Sequence, residues 1–121
     1  MSIDAAQASR FYEQVAKDGV VFTLEDDGNF LVFPIKGSEV IPFWSSRSHA
    51  EKVKTDHPKF SACDVAESTL AEFLEKTLPL LEEEGIHVGV NWSGARLSGF
   101  DLPVKDLLAN LQYWLDKEAK H

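Results

Sequence analysis

The sequence predicts an α/β domain, bordering on α+β, with a single mixed sheet of about five strands and helices packed on it. Three observations carry that prediction. Apolar residues recur at helical spacing near both ends and around residue 70, and they alternate at period two in short runs between. Glycine or proline stands at most places where the period changes. With 121 residues and a 44% apolar fraction, the chain is sized for one globular domain over residues 1–121, and no linker, repeat or low-complexity segment divides it.

The elements follow in order. From about residue 4 to 18, Ala8, Phe11, Tyr12 and Val15 form an amphipathic stripe, and Gly19 stands where a left-handed cap would end the helix. Val20, Phe22 and Leu24 alternate with Val21 and Thr23 as a first strand. Asp27-Gly28 has the chemistry of a type I′ hairpin, and Phe30–Ile35 returns as a second strand. Gly37-Ser38 offers a type II′ turn into a third strand from Val40 to Trp44, completing a β-meander. Pro34 and Pro42 cannot donate to a ladder, so each must face an edge, a bulge or a strand end.

Beyond Trp44 the period becomes helical. Ser45, Ser46 and Ser48 are all capping types, and Ser48 with Glu51 has capping-box spacing. The helix should bury Ala50 and Val53 and stop before His57-Pro58, because a residue preceding proline avoids the helical region. Phe60–Ala66 reads as a fourth strand. Thr69 with Glu72 opens the next helix, carrying Leu70, Phe73, Leu74, Leu78 and Leu81. Pro79 inside it predicts a kink or two helices end to end, and Gly85 closes it. Ile86–Trp92 is a fifth strand with Ile86, Val88 and Val90 on one face. Leu97–Phe100 offers one more short strand, and a last helix begins at Pro103, burying Val104, Leu107, Leu108, Leu111 and Leu115. The order is α-β-β-β-α-β-α-β-(β)-α. Helical links between the third, fourth and fifth strands favour parallel βαβ units.

Charge and cysteine content narrow the function classes. Twelve Lys and Arg face 20 Asp and Glu, a formal −8 that disfavours phosphate backbones and anionic lipid; no nucleic-acid or membrane partner is expected. Cys63 stands alone, and Met1–Arg10 has neither the basic nor the apolar region of a signal peptide, so a cytoplasmic location is expected.

Several segments resemble the bacterial family numbered 2750 among the domains of unknown function. They are Val40-Ile41-Pro42-Phe43-Trp44-Ser45 with Ala50 after it, Leu70-Ala71-Glu72-Phe73-Leu74, and Val88-Gly89-Val90-Asn91-Trp92-Ser93-Gly94, the most specific of the three. The likeness runs from about Phe11 to Leu111 and implies neither an activity nor functional residues. The stretch from Pro42 to Ala50 is also faintly similar to serine-sensitivity-enhancing B-type domains, which bears on fold alone.

One constellation stands out. Trp44-Ser45-Ser46-Arg47 ends the third strand and opens a helix, while Asn91-Trp92-Ser93-Gly94 ends the fifth. Parallel strands would bring both to one sheet edge, where ligands bind in open α/β sheets. A helix N-terminus there suits an anion; Arg47, His49 and Arg96 would add charge, and the indoles of Trp44 and Trp92 would form walls. Against this, serines ahead of a helix are commonly caps, Asn-Trp-Ser-Gly reads as a turn, and tryptophans are commonly core. The candidate patch is Trp44, Ser45, Ser46, Arg47, His49, Asn91, Trp92, Ser93 and Arg96.

Other chemistry has less support. Ser45, Ser46 or Ser93 with His49 or His87, and Asp64 or Asp101 behind, would make a nucleophile and base, but no strained elbow surrounds any of these serines. Cys63 reads as a small buried hydrophobe. His49, His57, His87 and His121 lack metal-ligand spacing, Asp26-Asp27-Gly28-Asn29 lacks the closing glutamate of a calcium loop, and no nucleotide fingerprint is present. No catalytic residue, metal or cofactor is assigned. The expectation is a small acidic, non-enzymatic binding or protein-interaction module. The alternative is an anion-binding protein or small enzyme with a pocket around Trp44 and Trp92. Self-association is compatible with the free sheet edge.

Overall fold

A computed structural model describes residues 3–120. Helix α1 (Ile3–Asp18) ends as its glycine predicts: Gly19 takes φ +72° and its N–H reaches Val15 C=O at 2.9 Å. Strand β1 (Val20–Asp26) turns through Asp27 and Gly28, both at positive φ, into the short β2 (Asn29–Phe30). The expected second strand breaks after Phe30 and resumes as β3 (Phe33–Ile35), so one predicted strand serves two partners. The next turn is Lys36-Gly37 rather than Gly37-Ser38. Both residues have positive φ, the type I′ signature rather than type II′, and Ile35 pairs directly with Ser38.

Strand β4 (Ser38–Phe43) leads into α2 (Arg47–Asp56), whose N-cap is Ser46: its Oγ accepts the His49 N–H at 3.2 Å. The Ser48–Glu51 capping box is therefore not used. His57 ends α2, and Pro58–Phe60 forms a single 3₁₀ turn where a strand start was expected. Strand β5 covers Asp64–Thr69. The predicted capping box of Thr69 and Glu72 opens α3 (Leu70–Glu72), which passes through a π-helical turn (Phe73–Thr77) into α4 (Leu78–Glu84). Pro79 explains this: it has no N–H to continue the α pattern, and one residue earlier Leu78 N–H reaches back five residues to Phe73 C=O. The chain widens there instead of breaking. Strands β6 (His87–Val90) and β7 (Asp101–Leu102) precede α5 (Val104–Ala119), with Pro103 at the N-cap rather than inside the helix.

The α/β class holds, but the strands form two sheets where one was expected. An antiparallel sheet has the order β2-β1-β5, and a mixed one the order β3-β4-β6-β7. They are joined by the bridge between Phe22 and Trp44, whose N–H···O bonds measure 2.8 and 2.7 Å. The third and fifth predicted strands, β4 and β6, are parallel neighbours, with Phe43 opposite Val90. The fourth, β5, instead lies antiparallel along β1 over the whole run from Val20–Thr69 to Glu25–Asp64. Pro42 shares the parity of Trp44, so the donor it lacks falls in the gap between β3 and β1, and Thr23 Oγ1 donates to its carbonyl at 2.7 Å.

Both faces are covered. Ile41, Phe43, Val88 and Val90 meet α1, α4 and α5 through Phe11, Val15, Leu81, Leu107 and Leu111. On the other face Phe22, Val40, Trp44 and Trp92 meet Ala50 and Val53 of α2, with Phe60 and Cys63. This double coverage is why β1 and β4 each bury four consecutive residues instead of alternating ones. Burial also pushes the Cys63 thiol above the ordinary range, with Asp26 adding to the effect, as suits a structural cysteine. No helix among the described residues is long and apolar enough to cross a membrane.

Candidate functional site

The parallel pairing of β4 and β6 does bring residues 44–47 and 91–94 to one sheet edge. What it builds there has two parts. The lower part is sealed. Trp44 and Trp92 are 0% and 2% exposed, so neither indole forms a cleft wall as the sequence suggested. Trp44 Nε1 donates to Trp92 C=O at 2.8 Å, and Trp92 Nε1 donates to Phe100 C=O at 3.0 Å, a relay pinning three segments together. The Trp92 indole packs closely against two glycines: a Cβ on Gly89 would come within 2.6 Å of the ring, and one on Gly99 within 2.7 Å. Only glycine allows that approach at either position.

Beside the indoles, Asn91 and Ser45 form a buried polar pair. Asn91 adopts φ +49°, a left-handed conformation that asparagine tolerates better than most residues, and this turns the chain at the strand end. Its Oδ1 accepts the Ser45 N–H at 2.9 Å, while its Nδ2 donates to Ser45 Oγ at 3.1 Å and to Gln7 C=O at 3.3 Å. Ser45 Oγ donates to Gln14 Oε1. The strand ends are thus tied to α1, and the hydroxyl of Ser45 is committed to the amides of Gln14 and Asn91, with no histidine bonded to it among the described residues. Gln7 Oε1 is buried with no hydrogen-bond partner among the described residues.

Above this floor lies an open cleft of about 840 Å³ between α1 and α2. Gln7, Arg10 and Gln14 line it from α1; Ser46, Ser48, His49, Lys52 and Asp56 from α2; and Ser93, Gly94 and Ala95 from the turn. His57 Nε2 lies 3.0 Å from Gly94 C=O and closes one end. Lys52 Nζ pairs with Asp56 at 2.6 Å, whereas Arg10 has no ion-pair partner among the described residues. The first turn of α2 brings its positive dipole end to this wall. Burial first, and then Lys52 and Arg10, hold His49 below the usual histidine range against a hydrogen bond to the Trp92 backbone, which favours the protonated ring. The ring is therefore neutral at neutral pH.

Of the residues singled out by sequence, Ser46, His49 and Ser93 line the cleft; Ser45 and Asn91 are buried beneath it, bonded to Gln14 and Gln7 of its lining; Trp44 and Trp92 belong to the core. Arg47 turns the other way, pairing with Glu67 at 2.9 Å and lying 5.3 Å over the Phe22 ring. Arg96 is exposed beyond the lining residues of the turn. His87 does meet Asp101, Nδ1 to Oδ2 at 2.9 Å, but at the start of β6, away from Ser93. Sequence reasoning missed Ser48, Lys52 and Asp56 on the α2 side and, on α1, Gln7, Arg10 and Gln14. The signal of the last three is a polar stripe at i, i+3, i+7 beside the apolar one, and it gains meaning only once α1 lies across the strand ends. Among the described residues no group of three or more His, Cys, Asp or Glu is placed to hold a metal ion.

A second, shallower groove of about 450 Å³ runs between α1, β7 and α5, lined by Tyr12, Phe100, Leu102, Tyr113 and Trp114 among others. Phe100 and Tyr113 are 45% and 59% exposed there. Asn110 Nδ2 donates to Tyr12 Oη at 3.2 Å, and burial outweighs that bond in raising the Tyr12 phenol above its ordinary range.

No curated protein matches the sequence. The family model described as a protein of unknown function (DUF2750) matches residues 8–111, a span holding every lining residue of the α1–α2 cleft but Gln7, and the chain belongs to that family.

Proposed function

We propose that this chain is a binding protein for a small anion, seated in the cleft between α1 and α2. The observation that carries this reading is the charge of the cleft. In a chain of formal charge −8, its lining holds two cations, Arg10 and Lys52, against one acid, Asp56. Lys52 already answers Asp56, so the guanidinium of Arg10 is left for a ligand. The volume is that of a small-ligand site, and the hydroxyls of Ser46, Ser48 and Ser93 supply neutral donors around it. The rigid floor of Asn91, Ser45 and the two indoles supports pre-organised binding. An NMR chemical-shift titration with inorganic sulfate tests this. Shifts should concentrate on Arg10, Ser46–His49 and Ser93–Ala95, and Arg10→Gln should weaken the affinity about tenfold. Shifts elsewhere, or an unchanged affinity in the variant, sink the reading.

A second reading, a protein-interaction module, is favoured by the exposed aromatic groove of Phe100 and Tyr113. On charge, the partner would present a basic face, and its complex would weaken with salt. Tyr113→Ala should abolish a complex formed there while leaving sulfate binding intact.

A further inference from the structure

The groove between α1, β7 and α5 is built from a contrast in side-chain size. Ala5 and Ala8 of α1 leave room beside the large Tyr113 and Trp114 of α5, and Tyr12 and Phe100 extend the aromatic lining. Asp101 is its one fully charged side chain among the described residues. Through Oδ2 that carboxylate accepts from His87 Nδ1 at 2.9 Å, and Oδ1 has no hydrogen-bond partner among the described residues. Tyr113 and Trp114 meet edge to face, their centroids 5.6 Å apart at 88°. This pair already draws an ammonium from its own helix. Lys117 Nζ lies 4.6 Å from the Trp114 centroid and 5.3 Å from that of Tyr113, although Lys117 is not part of the groove lining. The π surfaces of such rings are negative, and they attract a cation.

The lining selects the kind of cation. A bare ammonium has three donors to satisfy, and a groove made mainly of rings and alanine methyls offers few acceptors in exchange for its water. A metal ion needs several oxygen or nitrogen ligands, and no suitable group of three is present among the described residues. An alkylated ammonium keeps its charge, sheds water readily and covers apolar surface, which suits aromatic walls with a single carboxylate. The volume of about 450 Å³ is that of a small-ligand site. We propose that this groove is a second ligand site, for a small alkylated ammonium ion, with Phe100, Tyr113 and Trp114 as its aromatic walls and Asp101 as the countercharge. It is separate from the α1–α2 cleft and stands whether or not that cleft takes an anion. It gives the groove a small cation in place of the protein surface of the second reading.

The experiment compares choline with 3,3-dimethylbutan-1-ol, its uncharged carbon isostere, by NMR shift titration of the whole chain at constant ionic strength. The two probes share a shape, so the difference between them reports the charge alone. Choline should bind about tenfold more tightly, with its shifts concentrated on Phe100–Leu102 and Asn110–Trp114. Asp101→Asn, which can still accept from His87, should remove most of that preference and leave the affinity for the alcohol unchanged. Tyr113→Leu, which keeps apolar bulk but no π surface, should reduce the preference about threefold. The two probes on the unaltered protein decide the matter even if a variant folds poorly. Equal affinity for both makes the groove a merely apolar surface, as the protein-interaction reading allows, and overturns the cation site. Choline shifts confined to the α1–α2 cleft, or no binding of choline at all, overturn it as well. None of these results touches the anion reading, which is judged on sulfate at Arg10 and Ser93–Ala95.

Discussion

Within two or three residues, the segments 44–47 and 91–94 pass from one kind of environment to another. Trp44, Ser45, Asn91 and Trp92 are at most 2% exposed and satisfied by the chain itself. Ser46 and Ser93, next to them, face an open cleft whose other wall comes from α1. The floor has its donors and acceptors paired, so it contributes shape and rigidity but few groups to a ligand. The rim holds the hydroxyls, the imidazole and the guanidinium with capacity to spare. A strand end can thus be indispensable to a site without touching what the site binds.

That division can be broken or sharpened by substitution, the largest effects belonging to the floor. Trp44→Ala removes a fully buried indole and its bond to Trp92, and should cost about 3–5 kcal/mol in urea unfolding. A loss under about 1 kcal/mol would mean that the indole relay does not hold the strand ends together. Asn91→Ala leaves the Ser45 N–H and the Gln7 carbonyl without their partner, and should cost about 2–4 kcal/mol. If that variant kept its stability and lost only anion binding, Asn91 would belong to the rim. Gly89→Ala places a methyl 2.6 Å from the Trp92 ring, so a destabilisation of about 1–3 kcal/mol is expected, with Trp92 fluorescence shifted as the indole moves. The smallest effect should be that of Arg47→Ala. Its pair with Glu67 is half exposed on both sides, worth at most about 1 kcal/mol, and thermal unfolding should hardly change. Sulfate affinity should be unchanged as well, whereas a marked loss would place Arg47 in the cleft after all.

The difference between Arg47 and Arg10 shows what could be read in advance. Arg47 is adjacent in sequence to the strand end and the helix cap, so proximity along the chain recommended it. One helical step carries its side chain to Phe22 and Glu67 on the far side of α2. Arg10, 37 positions earlier, reaches the site because α1 packs across β6 and is tied to Asn91 and Ser45 through Gln7 and Gln14. The same contrast holds for the strands. The parallel pair β4–β6 could be expected from the intervening helices, yet β5 prefers the open edge of β1, where Val20–Glu25 offers six partners in register. Connectivity restricts the hand of a crossover, but edge availability and side-chain fit select the neighbour.

By itself, the sequence determined the features whose physics is local. The αL caps at Gly19 and Gly85, the Asp27-Gly28 hairpin, the Thr69–Glu72 capping box and the two-residue alternation of Val88 and Val90 depend on torsional preference and on neighbours a few residues away. The tertiary structure alone decided which face of each element meets which partner. It sent the indoles of Trp44 and Trp92 inward and Arg47 away, brought Arg10 and His49 to one cleft, and divided seven strands between two sheets joined at Phe22 and Trp44. Those outcomes depend on packing and hydrogen bonding between residues far apart in the chain, and no local window contains both partners of such a contact.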